Sequence, residues 1–408
     1  MRESDLRMKG FCYMFHRNKE SLPPGVKRAV GPEVFVFLSL FSLFFVLVGR
    51  EMGTANMLNT MMNTAYALLM DTCLYIMAIA VLAGAISAMF SEFGVISLFN
   101  RLLSGIVEKV YGLPGASAIG VFTTYLSDNP AILTLANDNT FRRYFKKYQL
   151  PALTNIGTSF GMGLIVTTYM VAIKSPTGES FGLAVLIGNL AAVFGSIIST
   201  RLMLRKTAKL YGRDEMCEVE GETDVVDIHA YRRVRVGNVG TRLIDAILIG
   251  GKSGVDMGLA IIPGVLIICT LVMMLTNTAP AEGYTGAAYE GVGFLPWLGE
   301  KLHFLLMPIF GFSNPDGIAI PITALGAAGA AIGMADTLVA TSRANAHDIA
   351  VFTAMCMCWS GYLSTHVAMM DSLKCRQLTG YAILYHTIGG LCAGAFANWI
   401  YTLVSMLM

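Results

Sequence analysis

Long apolar runs separated by short polar segments recur along the whole chain. The longest runs can cross a membrane as helices, because a hydrocarbon core about 30 Å thick takes about 20 apolar residues. They lie at 33–50, 66–90, 150–172, 181–203, 256–276, 347–370 and 379–404. The pattern predicts an all-α polytopic membrane protein. The composition agrees, since only 14% of the residues are charged, against about 25% in a soluble domain.

Two shorter apolar segments carry charges within a helical pattern. Residues 94–112 contain Arg101, Glu108 and Lys109, and residues 289–304 have a similar pattern. A helix of this kind is stable on the membrane surface, with its polar face in water. We therefore expect two interfacial helices.

Two further apolar stretches are interrupted by a polar sequence that contains proline. Residues 114–138 contain SDNP at 127–130, and residues 305–334 contain SNPDG at 313–317. Non-helical backbone at membrane depth is tolerated only where protein or a water-filled cavity surrounds it. We expect two re-entrant helical hairpins with these sequences at their tips. Kinked spanning helices with a capping aspartate are the alternative.

The distribution of lysine and arginine orients these elements, since cytoplasmic loops carry the excess of positive charge. If the N-terminus is inside and 114–138 returns to its own side, the RRYFKK cluster at 142–147 and the basic connection at 204–255 both face the cytoplasm. Of the 29 lysines and arginines, 24 then lie inside and three outside. The charges predict a multi-pass protein of the cytoplasmic (inner) membrane. The second hairpin then enters from the outside. This assignment rests on a smaller difference in positive charge between the two sides.

The order of elements repeats after the first helix. Each unit has three spans, an interfacial helix and a hairpin, and the odd number of spans inverts the second copy. Inverted repeats with broken helices and a site near the midplane are typical of secondary transporters. The predicted units are a cytoplasmic arm (1–32), an extra helix with an outer loop (33–65), the first repeat (66–203), a cytoplasmic loop (204–255) and the second repeat (256–408).

This order resembles the core of the concentrative nucleoside transporter family and the wider set of Gate, or nucleoside-recognition, membrane proteins. The resemblance covers about 66–404, and FANW at 396–399 is similar to a Phe-Ala-Asn-aromatic stretch in that family's final helix. The Gln-Thr-Glu and Pro-Trp-Glu stretches of the nucleoside carriers' hairpins are replaced here by SDNP and SNPD. The resemblance implies the scaffold and a homotrimer, and it does not imply that the substrate is a nucleoside.

Small polar side chains cluster among glycines in the span that follows the first hairpin, within TNIGTSFGMG at 154–163. Hydroxyl and amide oxygens suit a small hard cation, and the resemblance implies a sodium ion between this helix and the first hairpin. Packing between helices is the alternative role of such residues. The only cofactor expected is a coupling ion, Na⁺ or H⁺. The candidate cation ligands are Ser127, Asn129, Asn155, Thr158 and Ser159.

Carboxylates inside a membrane are costly and usually functional. Asp128 and Asp316, at the expected hairpin tips, are candidates for binding solute groups or protons, or for capping the hairpin helices. The span 347–370 carries polar side chains that correspond to those of the first repeat, and both helices are expected to unwind around the substrate. His366 is either a proton site or a residue that reaches the membrane surface. The candidate substrate-binding residues are Asp128, Asn129, Asn314, Asp316, Thr353, Ser360, Ser364 and Asn398.

The sequence predicts a secondary active transporter, with no catalytic residues and no bound metal centre, since no metal-ligand spacing, P-loop or hydrolase motif occurs. Its expected partners are the lipid bilayer, further copies of the chain and a small polar organic solute, nucleoside-like or a related metabolite. Alternating access would use the two hairpins as gates. A net charge of +2 gives no indication of nucleic-acid binding.

Two other functions remain open. One is a metal-ion or lipid-headgroup translocator on the same scaffold, although neither tip sequence has the Cys, His or Met ligands that soft metals prefer. The other is a membrane assembly or signalling protein that docks through 204–255.

Overall fold

The computed structural model describes Lys27 and residues 29–126, 142, 144–217, 231, 234–326, 328–360 and 362–407. These residues form helices and connecting turns, and no strand occurs among them. Most of the predicted N-terminal arm and the SDNP sequence at 127–130 lie outside the described residues.

Eight α-helices lie in the part of the first half that the structure describes. They are α1 (Pro32–Met52), α2 (Thr54–Ala67), α3 (Leu74–Glu92), α4 (Val95–Tyr111), α5 (Ser117–Leu126), α6 (Ala152–Thr158), α7 (Gly163–Ala172) and α8 (Gly182–Tyr211). A π-helical turn, Leu68–Cys73, joins α2 to α3. Only Gly53 (φ 80°) separates α1 from α2. The predicted outer loop before residue 66 is therefore wrong, because this segment is helical.

The second half repeats the order. Its helices are α9 (Val239–Gly264), α10 (Thr270–Thr276), α11 (Phe294–Lys301), α12 (His303–Phe310), α13 (Ala319–Gly326), α14 (Ala328–Ala340), α15 (Ala346–Cys358), α16 (Leu363–Ser372) and α17 (Thr379–Leu407). A π-helical turn, Val265–Cys269, joins α9 to α10, at the place in the repeat that Leu68–Cys73 occupies in the first half. Two 3₁₀ turns lie at Pro315–Ile318 and Arg376–Leu378. Between the repeats, the described residues at 212–217, 231 and 234–238 are not helical, and they lie inside the predicted loop 204–255.

Among the described residues, four helices are long and apolar enough to cross a membrane: Pro32–Met52, Thr54–Glu92, Gly182–Tyr211 and Arg376–Leu407. The protein is a membrane protein. The spans predicted at 150–172 and 347–370 are each divided into two short helices, α6 with α7 and α15 with α16. The expected interfacial segment at 94–112 is helix α4, whereas that at 289–304 is helical only from Phe294 to Lys301.

The two repeats contact each other through equivalent spans, 54–92 with 239–276 and α8 with α17. Helices α3 and α9, one from each repeat, cross so closely that a Cβ on Gly254 would lie 2.3 Å from the carbonyl oxygen of Ala80. Helices α8 and α17, the last of each repeat, approach similarly, and a Cβ on Gly195 would lie 2.4 Å from the oxygen of Gly389. Backbone contact of this kind needs small residues and is common between membrane helices. The pairing of equivalent helices agrees with the predicted inverted repeat.

Helices α13 and α14 are the two arms of the second hairpin, whose closed end lies between Gly326 and Ala328. The SNPDG sequence at 313–317 lies at the open end, because Asp316 forms an ion pair with Arg343, which follows α14. The prediction that SNPDG is the hairpin tip is therefore wrong, and the hairpin spans 315–340 rather than 305–334. Proline and glycine here start the first arm and do not turn the chain at its tip.

The second arm of this hairpin packs on both π-helical turns. A Cβ on Gly333 would lie 2.3 Å from Cγ2 of Thr72, in the first turn. In the second turn, the Cys269 thiol donates to the carbonyl oxygen of Ala330 at 3.2 Å. The hairpin is thus held against the place where the first helices of the two repeats meet.

Candidate functional site

The break between α6 and α7 occupies residues 159–162, all of them buried. Met162 has a left-handed backbone (φ 58°), which reverses the chain locally before α7 resumes at Gly163. The ring of Tyr125, from α5, lies so close to Gly163 that a Cβ there would approach its Cδ2 atom to 2.2 Å. Glycine at this position therefore lets the hairpin pack directly on the broken helix.

The break between α15 and α16 lies at 359–362 in the equivalent helix of the second repeat. Trp359 is buried, and its indole ring fills the space that Gly390 of α17 leaves open. The indole N–H donates to the carbonyl oxygen of His386 at 3.3 Å. The side chain of Ser364 and residue 361 lie outside the described residues.

The two breaks meet in the interior. The Ser360 hydroxyl donates to the carbonyl oxygen of Thr158 at 3.0 Å. This carbonyl belongs to the last turn of α6, where a helix leaves carbonyls without intrahelical partners. Two residues predicted separately, one for cation binding and one for substrate binding, are thus in contact.

A buried polar network surrounds this contact. The Asn155 amide donates to Ser199 Oγ at 2.8 Å and to the carbonyl oxygen of Ala382 at 2.9 Å. Ser199 Oγ lies 3.3 Å from His386 Nδ1, and the His386 ring lies 4.6 Å from that of His366. Five helices, α6, α8, α15, α16 and α17, converge here.

Sequence reasoning missed Ser199 and His386. His366 and His386 show no ligand spacing, because they come from different helices and meet only through tertiary packing. The only sequence signal for them is a polar residue inside a predicted membrane span, Ser199 in 181–203 and His386 in 379–404. His366 itself is fully buried, and its Nε2 atom lies 3.4 Å from Thr158 Oγ1. It does not reach the membrane surface.

The candidate cation ligands are described in part. Thr158 Oγ1 and Ser159 Oγ donate to carbonyl oxygens of their own helix, those of Thr154 at 2.7 Å and Asn155 at 2.8 Å. Asn155 Oδ1 is buried and has no partner among the described residues. An amide oxygen in that situation fits a cation or a hydrogen-bond donor. Ser127 and Asn129 lie outside the described residues.

Three predicted substrate-binding residues lie elsewhere. The Asn398 amide binds the carbonyl oxygen of Ile309 at 2.9 Å, at the end of α12, and Asn314 caps the 3₁₀ turn by accepting from the Asp316 N–H at 3.0 Å. Beside them, Ser313 N–H donates to Asp348 at the start of α15. Asp348 precedes Ser360 by 12 residues, most of them in α15, so this cluster lies about 18 Å from Ser360 along the helix. Asn314, Asp316 and Asn398 are therefore not brought together with Ser360 in this structure.

Thr353 lies midway along α15 and faces α8, where Gly188 leaves room for it. Its hydroxyl is buried and has no partner among the described residues. Asp128, also a predicted substrate ligand, lies outside those residues. Within the described part of the chain, no group of three or more His, Cys, Asp or Glu could hold a metal ion.

A cavity of about 250 Å³ lies between α3 and α9 on one side and α5 and α7 on the other. We call it the seam cavity, because α3 and α9 belong to different repeats. Its wall includes Gly84, Ser87, Thr123, Leu126, Arg235 and Ser253. Leu126 directly precedes the SDNP sequence, so the cavity begins beside the expected tip of the first hairpin.

The structure is similar to those of CNTnw, a concentrative nucleoside transporter. The structure described as CNTnw in an inward-facing substrate-bound state is 14% identical, with a TM-score of 0.50 over 90% of this chain and 84% of that chain. A doubly substituted CNTnw in an outward-facing state gives 14% identity and a TM-score of 0.50 over 92% and 86%. A substituted CNTnw in the intermediate 2 state gives 13% and 0.50 over 90% and 84%.

The chain has the fold of these concentrative nucleoside transporter structures. The resemblance inferred from the order of elements is thereby confirmed for the fold. No protein-family model matches the chain, and no curated relative matches it in sequence.

Proposed function

We propose that this protein is a secondary active transporter that moves a small polar organic solute, nucleoside-like or a related metabolite, across the cytoplasmic membrane. Sodium ions or protons drive the movement, and the two hairpins act as gates. The N-terminus lies in the cytoplasm, and the protein assembles as a homo-oligomer.

The contact between Ser360 and Thr158 carries this proposal. Each repeat contributes one interrupted helix, and the two interruptions meet in the buried interior at 3.0 Å. Interrupted helices near the centre of an inverted repeat expose backbone groups that bind solutes and coupling ions in secondary transporters. The unpartnered Asn155 Oδ1 and Thr353 Oγ1 add further buried polar atoms on the same helices.

Alternating access is supported by the conformations in which this fold occurs. The similar CNTnw structures are described as outward-facing, intermediate and inward-facing. In the present protein, hairpin arm α5 and helix α7 border one side of the seam cavity, and α3 and α9 border the other. Movement of one side past the other would open and close that space.

The test is thermal unfolding of the purified full chain in detergent, with sodium or choline chloride and a panel of nucleosides, nucleobases, amino acids and sugars. A ligand that binds the folded state raises the melting temperature by mass action. We expect one solute class to raise it, and Ser360→Ala to remove that increase. Ser405→Ala, at the exposed end of α17, is the matched control and should retain it.

Uptake into proteoliposomes completes the test. The solute class that stabilises the protein should accumulate inside vesicles when a sodium or proton gradient is imposed, and Asn155→Ala should weaken the dependence on sodium if this residue binds that ion. Stabilisation by a solute without uptake under either gradient would contradict transport and favour a receptor or assembly role.

A further inference from the structure

The seam cavity has a polar wall that the proposed function leaves unexplained. Ser87, Ser91, Thr123 and Ser253 line it, while the glycines and alanines of α3 and α9 leave the space open. Ser87 is more than nine-tenths buried, and no hydrogen bond to its hydroxyl is found among the described residues. The serine hydroxyls that line the cavity can therefore bind a polar group within it.

Arg235 is the one charged side chain that lines this cavity among the described residues. Its guanidinium donates to Glu92 Oε2 at 2.7 Å, and Arg242 donates to Oε1 of the same carboxylate at 2.7 Å. The Glu92 side chain is only 3% exposed, whereas that of Arg235 is 30% exposed. Two guanidinium groups therefore share one buried carboxylate, and the cluster has a net positive charge.

Because Arg235 and Arg242 bind the carboxylate of Glu92, they can also bind another anion of similar shape. Guanidinium groups bind carboxylate and phosphate oxygens in the same planar geometry. Because the cluster retains one unneutralised positive charge, it attracts a second anion, and a cavity with low-dielectric walls concentrates that attraction. Arg235 is more exposed than Glu92, so an incoming anion reaches its guanidinium from the cavity side.

We propose that the seam cavity binds a small solute that carries hydroxyl groups and one anionic group, a carboxylate or a phosphate. Arg235 binds the anion in exchange for Glu92, and the serine hydroxyls of the wall bind the remainder. This inference rests on the proposed transport function, because the bound anion is a substrate only if the protein is a transporter. It narrows the proposed solute from polar organic molecules in general to anions. The binding site itself stands on the geometry of the cavity.

The experiment compares matched soluble probes that differ only in the anion. Ribose is compared with ribose 5-phosphate, and uridine with uridine 5′-monophosphate, by thermal unfolding of the full chain in detergent at constant ionic strength. We expect the phosphorylated member of at least one pair to raise the melting temperature and its neutral partner to have a smaller effect.

Two variants distinguish binding from a structural role. Arg235→Gln should abolish the preference for the phosphorylated probe. Glu92→Gln should strengthen the binding of that probe by several-fold or more, because it removes the internal competitor and leaves both arginines without a carboxylate. If the two residues only supported the fold, both variants would be less stable, but they would not have opposite effects on binding of the phosphorylated probe. Arg376→Gln, in an exposed pair with Asp371, is the control and should change neither binding nor preference.

The outcomes separate this inference from the proposed function. Stabilisation by the neutral probes alone would overturn the anion site and leave transport supported. An anion effect that survives Arg235→Gln, or that Glu92→Gln weakens, would also overturn it. If Arg235→Gln does not fold, the response of Glu92→Gln alone decides. Binding of short-chain phosphatidic acid but not of the soluble probes would assign the cluster to lipid headgroups and overturn the proposal.

Discussion

Asp316 and Arg343 form an ion pair of 2.6 Å across the open end of the second hairpin. Asp316 starts the first arm, and Arg343 follows the second arm. A second nitrogen of the same guanidinium donates to Asn277 Oδ1 at 3.3 Å, just after α10. The pair therefore fixes the base of the hairpin, and Arg343 ties it to the end of α10.

Replacing Asp316 by asparagine should lower the stability of the protein by about 1–3 kcal/mol, because it leaves a partly buried guanidinium without its carboxylate. Thermal unfolding in detergent measures the loss. The double variant Asp316→Asn with Arg343→Gln should lose less than the sum of the single variants, since the two residues interact.

An exposed ion pair provides the comparison. Lys147 and Glu215 are 2.8 Å apart, with side chains that are 42% and 52% exposed. Glu215→Gln should change stability by less than about 1 kcal/mol. Equal effects of the two substitutions, or strict additivity in the double variant, would show that the pair at the hairpin base adds no specific stabilisation.

The sequence pattern predicts SNPDG at the tip of the second hairpin, whereas it lies at the hairpin's open end. A proline and a glycine indicate that the chain turns, but the base of a hairpin needs a turn as much as its tip does. The closed end at 326–328 lies within LGAAG, which has no polar residue. Small residues allow the arms to meet there. Periodicity could not distinguish this sequence from the middle of a helix.

The inverted order of elements could be predicted, because an apolar run of about 20 residues in lipid has few stable forms other than a helix. The breaks at 159–162 and 359–362 were expected as unwound regions from clustered glycine and hydroxyl residues. Their contact through Ser360 could not be predicted, since it depends on how two helices about 200 residues apart in sequence pack. The same is true of His366 and His386.

The crossing of α3 and α9 should tolerate no side chain at Gly254. A Cβ there would lie 2.3 Å from the carbonyl oxygen of Ala80, so Gly254→Ala must push the helices apart. Overpacking of this kind typically costs about 1–3 kcal/mol. We expect a lower melting temperature and a broader profile in size-exclusion chromatography.

Gly251, on the same helix, is the matched control. A Cβ at this position would meet only Val81 Cγ1, at an ordinary 3.6 Å. Gly251→Ala should leave stability unchanged or raise it slightly, because alanine favours a helix over glycine. If both substitutions destabilise equally, general helix effects and not the close crossing explain the result.

The loop before α11 should show a pH-dependent stability that depends on Glu290. Burial alone would raise the pKa of this carboxyl group. Hydrogen bonds from the Thr285 hydroxyl and from the N–H groups of Thr285 and Gly286 outweigh burial and hold the pKa below its ordinary value. The stabilisation is therefore complete above the unfolded-state pKa of about 4.3 and is lost as the pH falls through the lower folded-state pKa.

Melting temperature as a function of pH measures this effect. Glu290→Gln should be less stable than the unmodified protein near neutral pH, and the difference should shrink as the solution becomes more acidic than about pH 4. Glu282→Gln, at an exposed position in the same loop, should behave like the unmodified protein throughout. A difference that is independent of pH would mean that the charge of Glu290 is not what stabilises the loop.

The first hairpin arm should depend on the hydroxyl of Tyr125. This group lies 2.9 Å from Thr167 Oγ1 on α7 and 3.1 Å from Asn189 Oδ1 on α8, so it joins the hairpin to both helices. Tyr125→Phe keeps the ring against Gly163 and removes only these bonds, which contribute about 1 kcal/mol. We expect hydrogen exchange to become faster in peptides from 117–126 and to stay unchanged in the middle of α3. The control is Tyr66→Phe, because Tyr66 is 67% exposed. It should leave hydrogen exchange unchanged both in 117–126 and in the middle of α3. Unchanged exchange in Tyr125→Phe would show that ring packing alone holds α5 in place, without help from the tyrosine hydroxyl.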